Sequence, residues 1–462
     1  MKLNRISAFI KKASSSNSFD ISTEEGRSKE RYRRIGISTI LSIANKSVSV
    51  VTTLVSVPLT INYLGTERYG LWMTISSAMA MLGFADLGLG NGLLTVIAEL
   101  NGKDDHRSIQ TYVSSTFFIL SGVAILILGS FFISYPFIPW SNLFNVKSNL
   151  AVQEANPAVA ILVINLALNM PLGVVQRIQS GYQEDYKNQV WISLGSLLGL
   201  GGILICIYFN AGLPWLILAL SGSTTLAIFI NGLNLFSFQK KWLFPSLKFF
   251  DWSAGKRIMK IGGIFMILQI LNFVGLASDN LIIANSLGAS SVATYVVTQK
   301  LFFTAFISQF FITPLWAAFG EAMARSDYVW AKKTLNRVLI LSLGVGLMTA
   351  IVLFFCGKSI ITAWTNESLV PSTSLLLGFC CWLTMWGYVG TMSTFLNSGF
   401  LLKKQILFFG LATCTSLFLK IILVGQWREA GVIWATVIGY GLFYIIPAGR
   451  LAYKSISVSM EN

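Results

Sequence analysis

The chain has 462 residues, of which 54% are hydrophobic and only 11% are charged, and its formal net charge at pH 7 is +15. Soluble globular proteins carry about 25% charged residues, so this composition excludes an ordinary soluble domain. The mean hydropathy of +0.67 indicates a membrane protein instead. In such a protein a basic excess faces anionic lipid at the cytoplasmic surface and does not by itself predict a nucleic-acid partner.

The first 35 residues are polar and lack the apolar core of a cleavable signal peptide, so they are expected to form a cytoplasmic tail. From residue 36 onward, apolar stretches recur with lengths close to the ~20 residues that a helix needs to cross a bilayer. These stretches predict an all-α integral membrane fold with twelve transmembrane helices. The predicted spans are 36–62, 70–98, 110–134, 157–177, 190–209, 212–237, 258–284, 291–318, 335–356, 372–397, 405–425 and 430–451.

Lysine and arginine are distributed very unequally between alternate loops. The N-terminal tail, the even-numbered loops and the C-terminal residues hold 27 of them, the odd-numbered loops hold 4, and 3 lie within predicted spans. Because these residues concentrate on the cytoplasmic side of membrane proteins, we expect both termini to be cytoplasmic. That topology requires an even number of spans, which agrees with twelve.

The two halves of the chain repeat each other. Leu64-Gly65 follows the first span, and Leu287-Gly288 follows the seventh. A second match pairs Ser180-Gly181-Tyr182 with Ser398-Gly399-Phe400, each after the fourth span of its half. Matches in the same order at equivalent positions predict two six-helix lobes of the same orientation, a construction common in secondary transporters.

The predicted domain boundaries follow from this repeat. The segment between the lobes alternates lysine with aromatic residues, a composition typical of a segment that lies at the membrane surface. The boundaries are 1–35 for the cytoplasmic tail, 36–238 for the N-terminal lobe, 239–257 for the cytoplasmic interfacial linker, 258–452 for the C-terminal lobe and 453–462 for the cytoplasmic C-terminal tail.

Several segments resemble one known family. Residues 84–92 read FADLGLGNG, residues 180–186 read SGYQEDY and residues 314–321 read PLWAAFGE. They are similar to segments of the polysaccharide biosynthesis exporters, the Wzx-type O-antigen flippases of the multidrug/oligosaccharidyl-lipid/polysaccharide superfamily. The resemblance covers the chain from about residue 35. It implies a MATE-like fold with two lobes around a central cavity.

The resemblance also implies an activity. Such flippases translocate undecaprenyl-pyrophosphate-linked oligosaccharide units of O-antigen or related surface polysaccharide from the cytoplasmic to the periplasmic leaflet by alternating access. It implies a multi-pass protein of the bacterial inner membrane with no cofactor and possible coupling by H⁺ or Na⁺. The expected partners are the lipid-linked oligosaccharide diphosphate, membrane lipid, a polysaccharide polymerase and a chain-length regulator, with no nucleic acid.

Two alternatives remain open, a cation-coupled multidrug antiporter of the same superfamily and a membrane polysaccharide polymerase. Three lysines against two aspartates within the spans favour an anionic cargo over an organic cation. The longest loop, near 135–156, has only two charged residues, which disfavours a catalytic loop. We therefore expect a transporter with no catalytic residues and no metal site.

Lys46, Lys300 and Lys420 are predicted to bind the substrate diphosphate. An ionisable side chain costs about 2.5–3.5 kcal/mol inside a bilayer on insertion scales, so each one there suggests a function. A polyanionic headgroup would be stabilised by fixed cations. The alternatives are an ion pair with an aspartate of a neighbouring helix, or snorkelling to the membrane surface. Snorkelling is favoured most for Lys420, which lies near the end of its predicted span.

Asp86 and Asp279, with Asn280, are predicted to serve in ion coupling or charge pairing. Pairing is slightly favoured for Asp86, which adjoins a glycine-rich run. Asp279 lies in a polar cluster with Ser278 and Asn280 that could bind Na⁺ or hold a proton.

A third group is predicted to act in gating or as a hinge. Gly88, Gly90 and Gly92 would allow either close helix packing, which we favour, or bending. Glu99 and Glu321 lie at the cytoplasmic ends of the second and eighth spans, where they would pair with nearby cations or form a gating salt bridge.

Overall fold

The computed structural model describes residues 19–20, 22–81, 86–144, 148–365, 369–399 and 401–461. Every regular element among these residues is helical. Much of the predicted tail 1–35 lies outside them. The longer helices are α1 Glu24–Met81, α2 Leu89–Gly102, α3 His106–Ser134, α4 Asn149–Gly181, α5 Asp185–Tyr208, α6 Leu213–Gln239, α7 Trp252–Leu287, α8 Ala289–Thr304, α9 Leu315–Ala324, α10 Tyr328–Trp364, α11 Thr373–Ser398, α12 Leu402–Trp427 and α13 Glu429–Val458.

The number of candidate membrane spans among the described residues is ten or eleven. Ten helices are long and apolar enough to cross a bilayer, with α1 counted only to Gly65, where the backbone leaves the helical conformation (φ 76°, ψ 169°) and α1 is broken into two segments. The segments Ser291–Thr304 and Gln309–Ala324 pass the same test together and are bent by 47° at a short break, which gives the eleventh. The all-α membrane fold is therefore confirmed.

The predicted second span, 70–98, is not one continuous helix in the described residues. α1 ends at Met81, residues 82–85 lie outside the description, and α2 begins at Leu89. Leu87 and Gly88 have φ angles of 54° and 69°. Two consecutive residues in the left-handed region cannot continue a right-handed helix, so the apolar stretch is divided at this turn.

Large apolar side chains on the outer faces of the helices are widely exposed. Leu126, Ile340 and Phe355, for example, are 72%, 74% and 74% exposed. A water-soluble protein rarely shows extensive apolar patches of this kind, whereas lipid tails solvate them without cost. The exposed surface thus agrees with the membrane assignment made from composition.

The chain divides into two compact units, one ending at Gly263 and one beginning at Ile264. In the N-terminal unit, Leu71 and Ile75 of α1 belong to one buried cluster with Val159 of α4 and Leu216 of α6. The C-terminal unit has an aromatic core on α11: Phe379 stacks on Phe302 at 5.4 Å between ring centroids, and Phe395 meets Phe319 at 5.2 Å.

The internal repeat has a structural counterpart in each unit. The turn after α2 places Asp104 at φ 55°, and Asp105 then caps α3 by accepting a hydrogen bond from the amide of Ser108 at 3.0 Å. The turn after α9 places Ser326 at φ 59°, and Asp327 caps α10 through the amide of Trp330 at 3.2 Å. Equivalent positions of the two halves therefore use the same local construction.

The predicted linker 239–257 packs against the N-terminal unit. It forms short helical turns at Lys241–Leu243 and Leu247–Phe249 before α7 begins. The backbone amide of Asp251 donates to the Ser115 hydroxyl of α3 at 3.0 Å, and that hydroxyl donates back to the Asp251 carbonyl at 3.1 Å. These paired hydrogen bonds attach the start of α7 to α3.

Candidate functional site

The first candidate site lies in the C-terminal unit and is centred on a buried ion pair. The Lys420 Nζ of α12 lies 2.5 Å from the Asp279 Oδ1 of α7, and the two side chains are 1% and 3% exposed. The structure therefore brings together two of the residues singled out in the sequence. A buried nitrogen is incompatible with the snorkelling favoured for Lys420, and the ion-pair alternative is the arrangement observed.

The Lys420 ammonium is surrounded by oxygen atoms of one face of α7. It donates to the Gly275 carbonyl at 2.6 Å and approaches the Ser278 hydroxyl at 3.4 Å. Residues 275, 278 and 279 are neighbours on a helix surface because they are three and four positions apart. The Tyr295 hydroxyl of α8 donates to the second carboxylate oxygen, Asp279 Oδ2, at 2.7 Å.

A small cavity with an aromatic wall adjoins this pair. Its volume is about 20 Å³, and since roughly 10–15 Å³ holds one water, it accepts one or two waters but no sugar ring. Trp382 stacks on Phe303 at 4.8 Å and on Trp386 at 5.4 Å between ring centroids. Trp382 is only 3% exposed, so it belongs to the interior of this unit and not to an interfacial belt.

The second candidate site lies in the N-terminal unit, where a larger cavity of about 190 Å³ is lined by both polar and apolar residues. The residues that line it include Asp86, Gly90, Asn169, Gln176 and Arg177. Arg177 lies one turn before the end of α4 and is partly buried. Asp86 and Asp185 attract it electrostatically, but it forms no hydrogen bond or ion pair with any residue that the structure describes.

Gly90 creates the space that Arg177 and Asp86 share. A Cβ atom on Gly90 would lie 2.8 Å from Arg177 Nε and 3.0 Å from Asp86 Oδ2. Asp86 is held by the turn before α2, because its Oδ1 accepts the Gly88 amide at 2.9 Å. The second carboxylate oxygen and Arg177 Nε thus both lie beside Gly90, and any side chain at position 90 would displace one of the two.

The other predicted lysines are not among the residues that line either of the two cavities. Lys46 on α1 and Lys300 on α8 are exposed, and neither side chain has a hydrogen bond or ion pair among the described residues. They belong to different units. Asn280 is also exposed and lies outside the oxygen cluster around Lys420, so only Ser278 of the expected polar neighbours of Asp279 contributes.

The predicted glycines and glutamates have structural contacts. Gly88 is the left-handed residue that precedes α2, and Gly92 packs against the backbone of Gly262, where a Cβ would be 3.4 Å from the nitrogen. Glu99 pairs with Lys103 at 2.5 Å and with Arg257 at 3.2 Å, while Glu321 pairs with Arg325 at 2.9 Å. Gly92 is therefore a close-packing position, and the two glutamates form local ion pairs. The gating or hinge role of this group stays a prediction.

A cluster in the loop after α4 was not anticipated from the sequence. Glu184 pairs with Lys187 at 2.8 Å and with Lys240 at 3.1 Å, and Lys240 lies 3.8 Å from the centre of the Tyr182 ring. Burial would raise the pKa of Glu184, but the two ammonium groups outweigh it and hold that pKa below its ordinary value. Burial lowers the pKa of Lys240, although Glu184 opposes this effect.

Arg177 is the main site residue that the sequence does not single out, because it stands at the end of the predicted span 157–177, where a basic residue is interpreted as a loop cation. α4 continues to Gly181, so Arg177 is inside the helix. The sequence carries no clear signal for this extension, because the residues that follow Arg177 include Gly181, which does not favour a helix. Tyr295 and the Gly275 carbonyl were also missed, since neither a buried tyrosine nor a backbone carbonyl has a sequence signature.

Comparison with known sequences gives a family match and two relatives. A family model described as "Polysaccharide biosynthesis protein" matches residues 36–319, more than half of the chain. A protein from Salmonella typhi named "Putative O-antigen transporter" is 23% identical over 320 residues, covering 68% of this chain and 69% of that protein. A protein of the same name from Salmonella typhimurium strain LT2 is 22% identical over 347 residues, covering 72% and 77%.

Solved structures share the fold over nearly the whole chain. An outward-facing multidrug resistance MATE family transporter of the MOP superfamily matches with a TM-score of 0.78 at 16% identity, covering 94% of this chain and 97% of that chain. A MOP superfamily transporter from Pyrococcus furiosus, described as having a binding pocket of reverse polarity, matches with a TM-score of 0.78 at 15% identity and the same coverage. At such identities the likeness confirms the MATE-like fold.

Proposed function

Because the chain belongs to the polysaccharide biosynthesis protein family, we propose that it is a flippase for lipid-linked oligosaccharide diphosphates. Its helices, its relatives and its fold identify a multi-pass membrane transporter. The proposal adds the cargo, an undecaprenyl-pyrophosphate-linked repeat unit of O-antigen or a related surface polysaccharide. It also adds the direction, from the cytoplasmic to the periplasmic leaflet of a bacterial inner membrane.

Arg177 is the observation that carries the proposed cargo. This guanidinium is held partly away from water and has no hydrogen bond or ion pair with any described residue, an arrangement that is electrostatically costly. An anionic ligand that entered the 190 Å³ cavity would remove this cost. Guanidinium binds phosphate oxygens through two parallel N–H donors, which makes arginine well suited to a diphosphate.

The remaining polar groups of this cavity suit a sugar diphosphate. The Gln176 side chain has no hydrogen bond among the described residues, so its amide is available to a ligand. Asn169 already donates to the Asn165 carbonyl and to the Thr225 hydroxyl, both at 2.8 Å, and its carbonyl oxygen stays available as an acceptor for a sugar hydroxyl. The Asp86 carboxylate would repel a phosphate group in contact with it. It therefore restricts a bound anion to the part of the cavity beside Arg177.

Lys46 and Lys300 support the same cargo. Both are cations in membrane-spanning segments, and neither has an anionic partner among the described residues. Lys420 differs, because its charge is already compensated by Asp279. We therefore propose Arg177 and Lys46 as headgroup contacts of the N-terminal unit and Lys300 as a headgroup contact of the C-terminal unit, with Lys420 in a different role.

The antiporter alternative rests on the aromatic wall beside Asp279, since aromatic rings and a carboxylate are the groups that recognise organic cations. In this chain Lys420 neutralises that carboxylate, and the adjoining cavity of about 20 Å³ is too small for a drug. The flippase therefore agrees better with the residues of both units. Alternating access, cytoplasmic termini, and partnership with a polymerase and a chain-length regulator belong to the same proposal.

The test is a deletion strain assayed for two quantities, the polysaccharide at the cell surface and the lipid-linked repeat units in the cytoplasmic leaflet. Loss of the first with accumulation of the second, both reversed by the wild-type chain, is the expected result. Normal surface polysaccharide in the deletion strain, or loss without accumulation of repeat units, would overturn the proposed cargo.

A further inference from the structure

The contacts of the Lys420 ammonium are those of a bound monovalent cation. Its near neighbours are a carboxylate oxygen of Asp279 at 2.5 Å, the Gly275 carbonyl at 2.6 Å and the Ser278 hydroxyl at 3.4 Å. Carboxylate, carbonyl and hydroxyl oxygens are also the ligands of hard cations, and transporters use backbone carbonyls for Na⁺. One negative and one positive charge balance the cluster.

More oxygen atoms lie around the cavity beside this cluster. The Thr413 hydroxyl of α12 and the Tyr440 hydroxyl of α13 are 3.0 Å apart, and those of Ser416 and Thr436 are 3.3 Å apart. All four residues line the cavity, which has room for one or two waters. Truncation of the Lys420 side chain would therefore leave a polar pocket with a carboxylate at its wall, a carbonyl and several hydroxyls.

An ion pair with a purely structural role in an apolar helix bundle would not be surrounded by this many hydroxyl and carbonyl oxygens. Structural pairs in a bundle interior are satisfied by one another, and replacing such a pair by apolar residues often costs nothing. Here the carboxylate is fixed from the other side by Tyr295, whose hydroxyl donates to Asp279 Oδ2 at 2.7 Å. The oxygen ligands are thus held in place from α7 and α8 independently of the lysine.

We propose that Lys420 is a tethered cation that permanently occupies a monovalent-cation site of the C-terminal unit. The unit then binds no free Na⁺ at Asp279, and an exchangeable ion enters only when the lysine side chain is removed. The Lys420→Ala variant lacks the ammonium group, and we expect it to need a free monovalent cation at Asp279 for full stability. This inference concerns ion binding and does not depend on the identity of the cargo.

The experiment measures the Tm of the purified full chain in chloride salts of Na⁺, Li⁺, K⁺ and N-methylglucamine at constant ionic strength. The wild type is expected to unfold at the same temperature in all four. Lys420→Ala is expected to unfold earlier in the N-methylglucamine salt and to recover with increasing Na⁺ or Li⁺ in a saturable way, because a ligand that binds only the folded state stabilises it.

Two further variants show whether recovery arises from this site. Lys420→Met keeps the volume of the side chain without its charge and should recover less, because the methionine fills the space. The double variant Lys420→Ala with Asp279→Asn lacks the carboxylate and should not respond to Na⁺. Recovery of this double variant equal to that of Lys420→Ala would overturn the proposal.

The wild-type measurement keeps the inference falsifiable if Lys420→Ala does not fold in any salt. Saturable stabilisation of the wild type by Na⁺ that Asp279→Asn abolishes would show a free cation at this carboxylate and would overturn the proposal. A Lys420→Ala variant that folds and has the same Tm in all four salts would also overturn the proposal. These results leave the proposed cargo unaffected, since no substrate is present.

Discussion

Arg68 and Glu154 form a bidentate ion pair between α1 and α4. Arg68 Nε lies 2.6 Å from Glu154 Oε2, and Arg68 Nη2 lies 2.6 Å from Glu154 Oε1. The same glutamate accepts the Leu213 amide at 3.0 Å, at the start of α6. One carboxylate therefore connects three helices of the N-terminal unit.

Arg68→Ala is expected to destabilise the protein by about 2–3 kcal/mol, because it leaves a mostly buried carboxylate without its cation. The side chains of the pair are 16% and 14% exposed. Thermal or denaturant unfolding of the purified chain measures the effect. Lys29→Ala is the control, because its pair with Glu25 joins two side chains that are 53% and 79% exposed, and an exposed pair of this kind contributes little to stability. Equal effects of the two variants would contradict this account.

Arg177→Ala is expected to reduce translocation about 10- to 100-fold, which corresponds to one charge-assisted contact of about 1.5–3 kcal/mol. Arg177→Lys should retain part of the activity, because it keeps the charge but loses the two-donor geometry. Surface polysaccharide in the complemented deletion strain is the measurement, with membrane abundance determined in parallel. Lys404→Ala, which removes an exposed cation at the start of α12, should have no effect.

Gly90→Ala is expected to reproduce the transport defect of Arg177→Ala without loss of membrane abundance. The added methyl group would meet Arg177 Nε at 2.8 Å and Asp86 Oδ2 at 3.0 Å, so one of these side chains must move. Gly122→Ala on α3 has no atom within 4 Å of its added methyl group, and it should be neutral or slightly stabilising. Normal transport by Gly90→Ala would show that the arrangement of Arg177 and Asp86 is not required.

Charge reversal of Lys46 or Lys300 is expected to abolish surface display of the polysaccharide while membrane abundance stays normal. Each substitution places a carboxylate where the proposed cargo carries negative charge, and like charges repel strongly at low dielectric. Lys46→Glu and Lys300→Glu are compared with Lys404→Glu at an exposed position outside both clusters. Normal display in both reversal variants would remove these lysines from the headgroup contacts.

Glu184 predicts a pH dependence of stability. Its folded-state pKa lies below the ordinary value of 4.5, so its ion pairs stabilise the protein fully above about pH 4.5 and progressively less as the pH falls through the lower folded value. Glu184→Gln should therefore lower the Tm at pH 7, and the difference from the wild type should shrink toward pH 4. A Tm difference that stays constant over this range would contradict the assignment.

Much of the fold could be predicted from the sequence because a bilayer imposes simple rules. Backbone groups must be paired internally, so each long apolar stretch had to become a helix. Gly65 and Gly288 follow matched leucines in the two halves, and both adopt the left-handed region, at φ 76° and ψ 169° and at φ 87° and ψ 171°. The division of the stretch 70–98 was not predictable, because hydropathy does not record a turn that glycine permits.

The candidate sites could be predicted only in part. The cost of charge in hydrocarbon singled out Asp86, Asp279 and Lys420 as residues that needed partners. It did not indicate that Lys420 would form an ion pair with Asp279, nor that Arg177 would line a cavity without an ion pair among the residues that the structure describes. Helix ends also extend beyond apolar stretches, because polar residues continue a helix outside the hydrocarbon, and this placed Arg177 inside α4.

The sequence by itself determined that this chain is a helical membrane protein with a repeated architecture, since apolar length and loop charge depend only on local composition. Tertiary structure alone decided which charges compensate one another. Coulombic compensation depends on distances of a few ångströms between side chains far apart in the chain, and these distances are set by the rotation and packing of helices. Lys420 is thus neutralised by α7, while Arg177 faces a cavity.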